Sequence, residues 1–354
     1  GIHMLQYCAG KGRHPIGYKI ASEIPEKEAE TYMDPKGVCS VITPWNFPFA
    51  IPTWLIGPAL VSGNTVVFKP SEETPLSGQF LVHLFDEVAK KHKVPPGVLN
   101  LVHGSGKVGE DMVRHRGTVG QLFTGSFAVG QKIRQIAMEH GNKFAICEMG
   151  GKNSLIMLED ADMNLALNAA ILSAYKTTHQ RCVSADLIIV EESIEREFTR
   201  RFLELTDRIV FGSPFDEKSF AGPLINQKAV EKFNRHANRV LQEYPELLRY
   251  SIGDEKTNFV RPNVFRMRYR PDTFALREEA FTPNVVIVPV KDFEEAMQAA
   301  NDNDGCLSMS LISEDYRMHR AFKIYSRAGL KYVRLPTIGA EIQLPFAGEK
   351  SAGT

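Results

Sequence analysis

Short β-rich runs alternate with longer amphipathic runs along most of this 354-residue chain, and the alternation limits the possible folds more than any other feature. The strand-like runs of the first part are GVCSVIT (37–43), TVVFK (65–69), VLNLVH (98–103), VGQLFT (119–124) and FAICE (144–148). Helical runs between them include LSGQFLVHLFDEVAKKH (76–92) and AVGQKIRQIAMEH (128–140). Because strands that alternate with helices pair in parallel through crossovers, the pattern predicts a doubly wound α/β sheet.

The alternation starts again after GGKN (150–153), and we place a domain boundary there. The later runs are SLIML (154–158), LALNAAILSAYK (165–176), DLIIV (186–190) and IEREFTRRFLELTDRI (194–209). At a prior of ~150 residues per domain, the chain length also suggests two domains. We therefore predict one α/β domain over 37–150 and a second over 151–354.

Residues 5–36 show no helix–strand unit. The alternation in HPIGYKIASEI (14–24) predicts extended chain that pairs with another subunit, and an ordinary edge strand is the alternative. The leading GIHM is interpreted as an expression remnant and is left out of the fold prediction. The predicted organisation is an exposed oligomerisation segment (5–36) followed by the two domains.

Charge, cysteine content and hydropathy exclude several classes of protein. Lys+Arg and Asp+Glu each number 42, and a zero net charge argues against a nucleic-acid partner. Five cysteines without a C-x-x-C favour a reducing, cytoplasmic location over a disulfide scaffold. The most apolar stretch (47–61) is interrupted by prolines and is shorter than the ~20 residues of a spanning helix, so no membrane association is expected. The histidine spacing predicts no metal site.

Three side chains are candidates for acyl chemistry. Cys182 follows Arg181, a cation that can lower the pKa of a thiol and produce the nucleophilic thiolate, although a buried, inert thiol is the alternative. Glu148 ends a predicted strand, where α/β sheets place their crevice, and it could act as a general base. Asn46, between two prolines, could donate its side-chain amide to an oxyanion. The alternatives are an ordinary strand-end acid and a turn asparagine.

The stretch VVFKPSEETP (66–75) carries a possible nucleotide contact. Lys69 at the end of a predicted strand can hydrogen-bond a ribose hydroxyl. Glu72 can accept from the adenosine 2′-hydroxyl and repel a 2′-phosphate, which favours NAD over NADP. A solvated charge pair ahead of a helix is the alternative interpretation.

Two glycine-containing stretches follow predicted strands and precede helices. GSGKVG (104–109), which includes Gly106, matches G-x-G-x-x-G. In FTGS, Gly125 and Ser126 are expected at a helix N-terminus, where backbone N–H groups can hold a phosphate. No acidic residue is evident ~20 positions after the glycines, so the standard dinucleotide fingerprint is not met.

Taken together and in this order, the motifs resemble those of the aldehyde dehydrogenase superfamily. The matching stretches cover nearly the whole chain in family order. They are ITPWNFP (42–48), SGNTVVFKPSEETP (62–75), PPGVLNLVHGSG (95–106), FTGS (123–126), EMGGKN (148–153), QRCVSA (180–185), GPL (222–224), REEAFTP (277–283) and PTIGAEIQLPFAGEK (336–350). The resemblance implies two Rossmann-type domains, of which 37–150 binds NAD and 151–354 carries the cysteine nucleophile.

The resemblance also implies residue roles in the oxidation of an aldehyde, with a semialdehyde as one candidate. Cys182 would attack the carbonyl, with Asn46 and the Cys182 N–H as the oxyanion hole, and Glu148 would activate water to hydrolyse the thioester. NAD is the expected cofactor and NADP the less favoured one. The implied cofactor contacts are Lys69, Glu72, Gly125, Ser126, Glu279 and Phe281. Gly106 and Trp45 complete the predicted set, although Trp45 taken alone indicates a core residue.

Several departures from the family pattern keep alternatives open. His179, Thr282 and Ala347 stand where glycine is common, and glycine often supplies a positive φ. The segments that usually precede residue 5 and follow residue 354 are absent from the sequence. A shortened, catalytically impaired binding or scaffold protein is therefore one alternative, and a coenzyme-A-acylating enzyme is another, which Glu148 argues against. A homodimer or homotetramer is the expected assembly.

Overall fold

The computed structural model describes residues 1–14, 17–254 and 256–353. The chain divides into two compact units: Gly1–Glu148 with Glu341–Pro345, and Met149–Ala340 with Phe346–Thr354. The sequence predicts 151–354 as one domain, whereas Glu341–Pro345 belongs to the first unit. This stretch forms neither helix nor strand, so no periodicity marks its assignment.

The N-terminal segment differs in part from its predicted extended form. Residues Ile2–Lys11 form helix α1, which includes most of the GIHM stretch that the fold prediction leaves out. Met4 and Cys8, spaced i and i+4, give this helix a buried face, and Gly57 of the following helix lies against Cys8. The segment after it contains an exposed antiparallel pair, β1 (Lys19–Ile20) and β2 (Ala29–Glu30). Residues 15 and 16 of the predicted alternation lie outside the described residues.

The first unit is built on a five-stranded sheet with strand order β5-β4-β3-β6-β7. Strands β3 to β6 pair in parallel. The strands are β3 (Val38–Ile42), β4 (Thr65–Lys69), β5 (Leu99–Leu101), β6 (Thr118–Gly125) and β7 (Phe144–Met149). The helices are α2 (Ala50–Val61), α3 (Pro75–Lys91), α4 (Gly106–Arg114) and α5 (Phe127–Glu139). The five strands and helices α3, α4 and α5 lie where the sequence predicts them, because alternating apolar residues such as Val66 and Phe68 pack into the core.

The second unit contains a seven-stranded sheet with strand order β10-β11-β12-β9-β8-β14-β15. Its pairs are parallel except for β10 with β11, and a short antiparallel pair joins β13 to β16. The strands are β8 (Asn153–Met157), β9 (Ala185–Glu191), β10 (Glu246–Arg249), β11 (Asn263–Arg266), β12 (Asn284–Val290), β13 (Gly305–Cys306), β14 (Ser308–Ile312), β15 (Leu330–Val333) and β16 (Glu349–Lys350). The helices are α6 (Met163–Tyr175), α7 (Glu192–Arg208), α8 (Gln227–Leu241), α9 (Phe274–Arg277), α10 (Phe293–Asn301) and α11 (Tyr316–Tyr325).

The central strands of the second unit are buried on both faces. Strands β9 and β12 consist mostly of β-branched and other apolar residues, as expected for parallel strands with helices on either side. Separate clusters of buried side chains pack on the two faces. Aspartate or asparagine side chains accept backbone hydrogen bonds at the first turns of α6, α8, α10 and α11, which fixes where these helices begin.

The structure confirms the predicted α/β architecture with parallel sheets. No helix within the described ranges combines the length and apolar character needed to cross a bilayer.

Candidate active site

In the first unit, the predicted residues lie at the carboxyl ends of strands. Asn46 and Trp45 follow β3 in a bend and are partly buried. Lys69 ends β4, and its side chain is buried with Nζ donating to the Pro70 carbonyl at 3.1 Å. Glu72 is exposed, and its Oε2 lies 3.5 Å from Lys69 Nζ. The Lys69 ammonium group and the exposed Glu72 carboxylate therefore lie together at this end of the sheet.

Gly125 and Ser126 form the junction between β6 and α5. A Cβ at Gly125 would meet the ring of Phe123, so a larger residue here would require that ring to shift. Ser126 is the exposed N-cap residue of α5, and no side-chain cap bond forms there. The first backbone N–H groups of the helix are thus available to a phosphate. Gly106 is the first residue of α4, and a Cβ added to it would meet open space.

Glu148 lies near the end of β7 and is partly buried. The preceding Cys147 points the opposite way, into the core, where burial raises the pKa of its thiol to about 11. Alternation along the strand thus separates a buried thiol from a partly buried carboxylate. The first unit therefore supplies an amide, an ammonium group, a helix N-terminus and a carboxylate.

In the second unit, Cys182 follows an unusual turn. Helix α6 gives way to a 3₁₀ turn at Lys176–His179, in which Thr177, Thr178 and His179 have φ values of 59°, 55° and 64°. Left-handed backbone costs about 1–2 kcal/mol for each residue with a side chain, so surrounding contacts must hold the turn. His179, which replaces the glycine of the family pattern, thus occupies the backbone region that glycine favours.

Hydrogen bonds anchor this turn on both sides. Thr178 Oγ1 donates to the Gly222 carbonyl at 2.6 Å, and the Gln180 amide bonds both the Pro223 carbonyl and the Ile225 N–H. Arg181 Nε donates to Thr177 Oγ1 at 2.8 Å. These contacts explain why the strained turn persists.

Cys182 itself is partly exposed, whereas the other four cysteines are buried. Burial lowers the pKa of the Arg181 guanidinium, and its electrostatic interaction with Cys182 opposes that shift. The same interaction favours the thiolate at Cys182. The Cys182 thiol is therefore partly exposed and lies beside a cation.

Asn153 binds the backbone at Cys182 and just after it. Its Nδ2 donates to the Cys182 and Ser184 carbonyls at 2.7 and 2.9 Å. Its Oδ1 accepts from the N–H groups of Leu307 and Ser308 at 3.2 and 2.8 Å. A buried amide with four such bonds is fully satisfied and links the Cys182–Ser184 segment to Leu307 and Ser308.

Glu279 lies between α9 and β12 and packs against the glycine pair that precedes Lys152. A Cβ at Gly150 would lie 2.0 Å from Glu279 Oε1, so a side chain there would displace the carboxyl group. Burial raises the pKa of Glu279 to about 7, although Lys232, Lys152 and a hydrogen bond from the Gly151 backbone oppose the rise. This carboxyl group is therefore partly protonated near neutral pH.

Phe281 has a positive φ of 53°, and the ammonium of Lys232 lies 5.9 Å from its ring centroid. Thr282, which replaces a glycine of the family pattern, is buried and is not among the residues with a positive φ. The strained position in this segment is therefore Phe281.

Sequence reasoning missed three residues of the second unit: Lys152, Asn153 and Asp186. Lys152 and Asp186 are almost completely buried charges. Asp186 precedes the apolar run LIIV, and an acid at the start of a buried strand is a signal that could have been noticed. Asn153 gives no such signal, because asparagine after glycine is typical of a turn.

Comparisons with known proteins identify the family of the chain. A family model described as the aldehyde dehydrogenase family matches residues 1–354. The chain is 36% identical over 363 residues to alpha-ketoglutaric semialdehyde dehydrogenase of Bacillus subtilis (strain 168), covering 100% of this chain and 72% of that protein. The chain belongs to the aldehyde dehydrogenase family. The resemblance inferred from the motifs is thereby confirmed.

Solved structures of aldehyde dehydrogenases share the fold. Glyceraldehyde-3-phosphate dehydrogenase GapN of Methanocaldococcus jannaschii, complexed with NADP, matches with a TM-score of 0.93 and 29% identity over 100% of this chain and 75% of its own. Betaine aldehyde dehydrogenase of Staphylococcus aureus, in complex with NAD⁺, matches with a TM-score of 0.93 and 30% identity over 100% and 70%. The predicted Rossmann-type fold is confirmed, and the relatives include both NAD-bound and NADP-bound proteins.

Proposed function

We propose that this aldehyde dehydrogenase oxidises an aldehyde to a carboxylic acid through a thioester on Cys182, with NAD as the hydride acceptor. The observation that carries the proposal is the partly exposed Cys182 thiol beside Arg181, which follows a turn that the fold holds in a strained conformation. Strained backbone is typical of functional positions, and a cation near a thiol favours the nucleophilic form.

The proposed reaction begins when Cys182 Sγ attacks the aldehyde carbon and forms a thiohemiacetal. The Asn46 side-chain amide and the Cys182 N–H stabilise the oxyanion. Loss of hydride from that carbon then converts the thiohemiacetal into a thioester. Glu148 takes a proton from water, which attacks the thioester, so the acid leaves and the thiolate is regenerated. The bound dinucleotide supplies the hydride acceptor.

The residues of the first unit fit a dinucleotide. The junction at Gly125 and Ser126 leaves backbone N–H groups open to the pyrophosphate, in a place where a Cβ would clash with Phe123. Lys69 would donate to a ribose hydroxyl. The exposed Glu72 carboxylate beside it would accept from the adenosine 2′-hydroxyl and repel a 2′-phosphate, which supports NAD over NADP. In the second unit, Glu279 is proposed as a ligand of a ribose hydroxyl and Phe281 as a contact to the nicotinamide side.

For the substrate, we propose a semialdehyde, an aldehyde that also carries a carboxylate. Two relatives bear such names: the B. subtilis enzyme, and malonate-semialdehyde dehydrogenase 3 of Geobacillus kaustophilus, which is 30% identical over 99% of this chain. The alternative of an impaired scaffold gains no support from relatives that are themselves named as enzymes. We further propose a cytoplasmic homo-oligomer, in keeping with five free cysteines and the exposed β1–β2 pair.

The test is the appearance of NADH when the chain is mixed with NAD and a panel of aldehydes. The panel includes alpha-ketoglutaric semialdehyde and malonate semialdehyde, after the names of the two relatives. The Cys182→Ala variant should lose activity by about 10³-fold or more, because no other group can form the thioester. Cys39→Ala, a control at a buried cysteine of the first unit, should retain activity. An absence of turnover with every aldehyde would instead favour the impaired alternative, and release of an acyl-coenzyme A product would favour the acylating one.

A further inference from the structure

Asp186, at the start of β9, is a buried carboxylate on which three separate segments converge. Its Oδ1 accepts the Ala280 N–H at 2.9 Å and lies 3.4 Å from His179 Nε2 and 3.6 Å from Lys152 Nζ. Both Asp186 and His179 are about 1% exposed. The proposed reaction assigns no role to this cluster, although its members border both functional segments of the second unit.

On one side, the cluster holds the turn that precedes Cys182. His179 Nδ1 lies 2.7 Å from the Ala174 carbonyl, which can only accept, so Nδ1 carries a proton and donates. The other ring nitrogen faces Asp186. The imidazole therefore spans from the last turn of α6 to β9 and fixes the third of the left-handed residues.

On the other side, the cluster holds the segment that carries Glu279. Lys152 Nζ donates to the Glu278 carbonyl at 2.7 Å, and Asp186 accepts from the Ala280 N–H. The peptide groups on both sides of Glu279 are thus bound by the cluster. Phe281, with its positive φ, follows directly.

The charges of the cluster support a fixed arrangement. Burial alone would raise the pKa of Asp186, but Lys152, His179 and the Ala280 N–H outweigh it and hold the pKa at about 2. The carboxylate is therefore ionised at neutral pH and can only accept hydrogen bonds. Burial also lowers the pKa of Lys152, which Asp186 opposes. Removing the charge of Asp186 would leave the ammonium and the imidazole without their common partner.

We infer that Asp186 is a positioning residue that holds the Cys182 turn, through His179, and the Glu279–Phe281 segment, through the Ala280 N–H, in one arrangement. Its effect on catalysis rests on the proposed function, whereas its effect on the two segments does not. Loosening the turn would move the Arg181 guanidinium away from the Cys182 thiol, because Arg181 Nε donates to Thr177 Oγ1 in the turn. Loosening the other segment would displace Glu279.

The test compares three variants and a control by hydrogen–deuterium exchange and by iodoacetamide alkylation of Cys182, both without nucleotide. Asp186→Asn keeps the shape but removes the charge. His179→Gly removes the imidazole while leaving a residue that adopts φ near 64° freely, so backbone strain cannot explain a loss. His179→Gln restores a donor toward Asp186. The control is Glu195→Gln, a buried acid on α7 whose partners include Thr199 and Arg266.

In D186N, we expect amide exchange to rise by about tenfold in peptides that cover 176–182 and 278–281. In H179G, only the 176–182 peptide should change. Cys182 alkylation should fall by about fivefold in both, because the thiolate loses its fixed cation. H179Q should stay within about twofold of the unmodified chain, and E195Q should change neither segment.

The inference is overturned if D186N leaves the 278–281 peptide unchanged, if H179G loosens both segments equally, or if E195Q reproduces D186N. If D186N fails to fold, the comparison of H179G with H179Q tests the inference instead. An H179Q variant that behaves like H179G overturns the inference. For an active enzyme, D186N should raise the nucleotide KM and lower kcat, whereas H179G should lower kcat alone. A chain that never produces NADH refutes the proposed function only, since exchange and alkylation need no turnover.

Discussion

The first unit presents its candidate residues on regular structure, whereas the second presents them on strained backbone. Lys69, Gly125 and Glu148 lie at or near the carboxyl ends of strands, where a parallel sheet gathers side chains without special contacts. Cys182 instead follows three left-handed residues, and Phe281 has a positive φ of its own. The difference teaches that topology is enough to place the candidate residues of the first unit, whereas the backbone before Cys182 depends on buried polar contacts such as those of Thr178 and His179.

The two units also differ in how far their apolar side chains are buried. Along α3 of the first unit, four apolar side chains spaced four residues apart are exposed: Leu76, Phe80, Leu84 and Val88. In the second unit, the central strands are buried on both faces. We therefore expect substitutions at site residues of the first unit to change kinetics with little loss of stability, and those in the second unit to change both.

The largest expected effect is kinetic and belongs to the first unit. Glu148→Gln should lower steady-state turnover by about 10²–10⁴-fold, because general-base activation of water is lost. A burst of one NADH per site should remain, since formation of the thioester does not need Glu148. Rapid mixing measures both phases, with Glu139→Gln at the exposed end of α5 as the control. If the burst disappears as well, Glu148 acts earlier than proposed.

The two units also differ in how much of their structure can be predicted from the sequence. The runs TVVFK and DLIIV identify their strands because alternation and apolar content report burial directly. Residues at strand ends, such as Lys69 and Glu148, can be placed from the strands alone. The left-handed turn at 177–179 cannot be predicted in this way, because threonine and histidine rarely adopt that conformation. The turn is held by partners elsewhere in the chain, such as Gly222 and Asp186. Helix α1 is missed because residues 1–4 are set aside as foreign and residues 5–11 are assigned to an extended segment.

Asn153→Ala tests whether the second unit depends on its buried polar contacts for stability. The variant leaves four backbone groups without their partner, so we expect a loss of about 4 kcal/mol in the free energy of unfolding, at about 1 kcal/mol for each hydrogen bond. Asn100→Ala is the matched control in the first unit, where the amide bonds the Val66 and Gly97 carbonyls near the surface, and it should cost about 1 kcal/mol or less. Urea unfolding measures both, and equal losses would remove the contrast.

Glu279→Gln tests the electrostatic strain of the second unit. The folded-state pKa of Glu279 is about 7, above its usual value of 4.5, so the folded chain binds the proton more tightly than the unfolded chain. Stability from the protonated carboxyl is complete below pH 4.5 and is lost as the pH rises through about 7. The variant should therefore match the unmodified chain in acid and exceed it by about 3 kcal/mol above neutral pH. Unfolding across pH measures the difference, with the exposed Glu204→Gln as a control that should show no such rise.

The smallest expected effect is at Glu72, where the first unit exposes its carboxylate to solvent. Glu72→Gln should shift the ratio of NAD to NADP specificity toward NADP by about fivefold, because screening by water keeps exposed charge interactions near 1 kcal/mol. The shift should shrink as salt is added, since repulsion of a 2′-phosphate at this position is screened. The neighbouring Glu73→Gln is the control, and kcat/KM for each nucleotide at low and high ionic strength is the measurement. A salt-independent shift of 100-fold or more would mean that Glu72 is enclosed when nucleotide binds, and the contrast between an exposed first site and a buried second site would then fail at this residue.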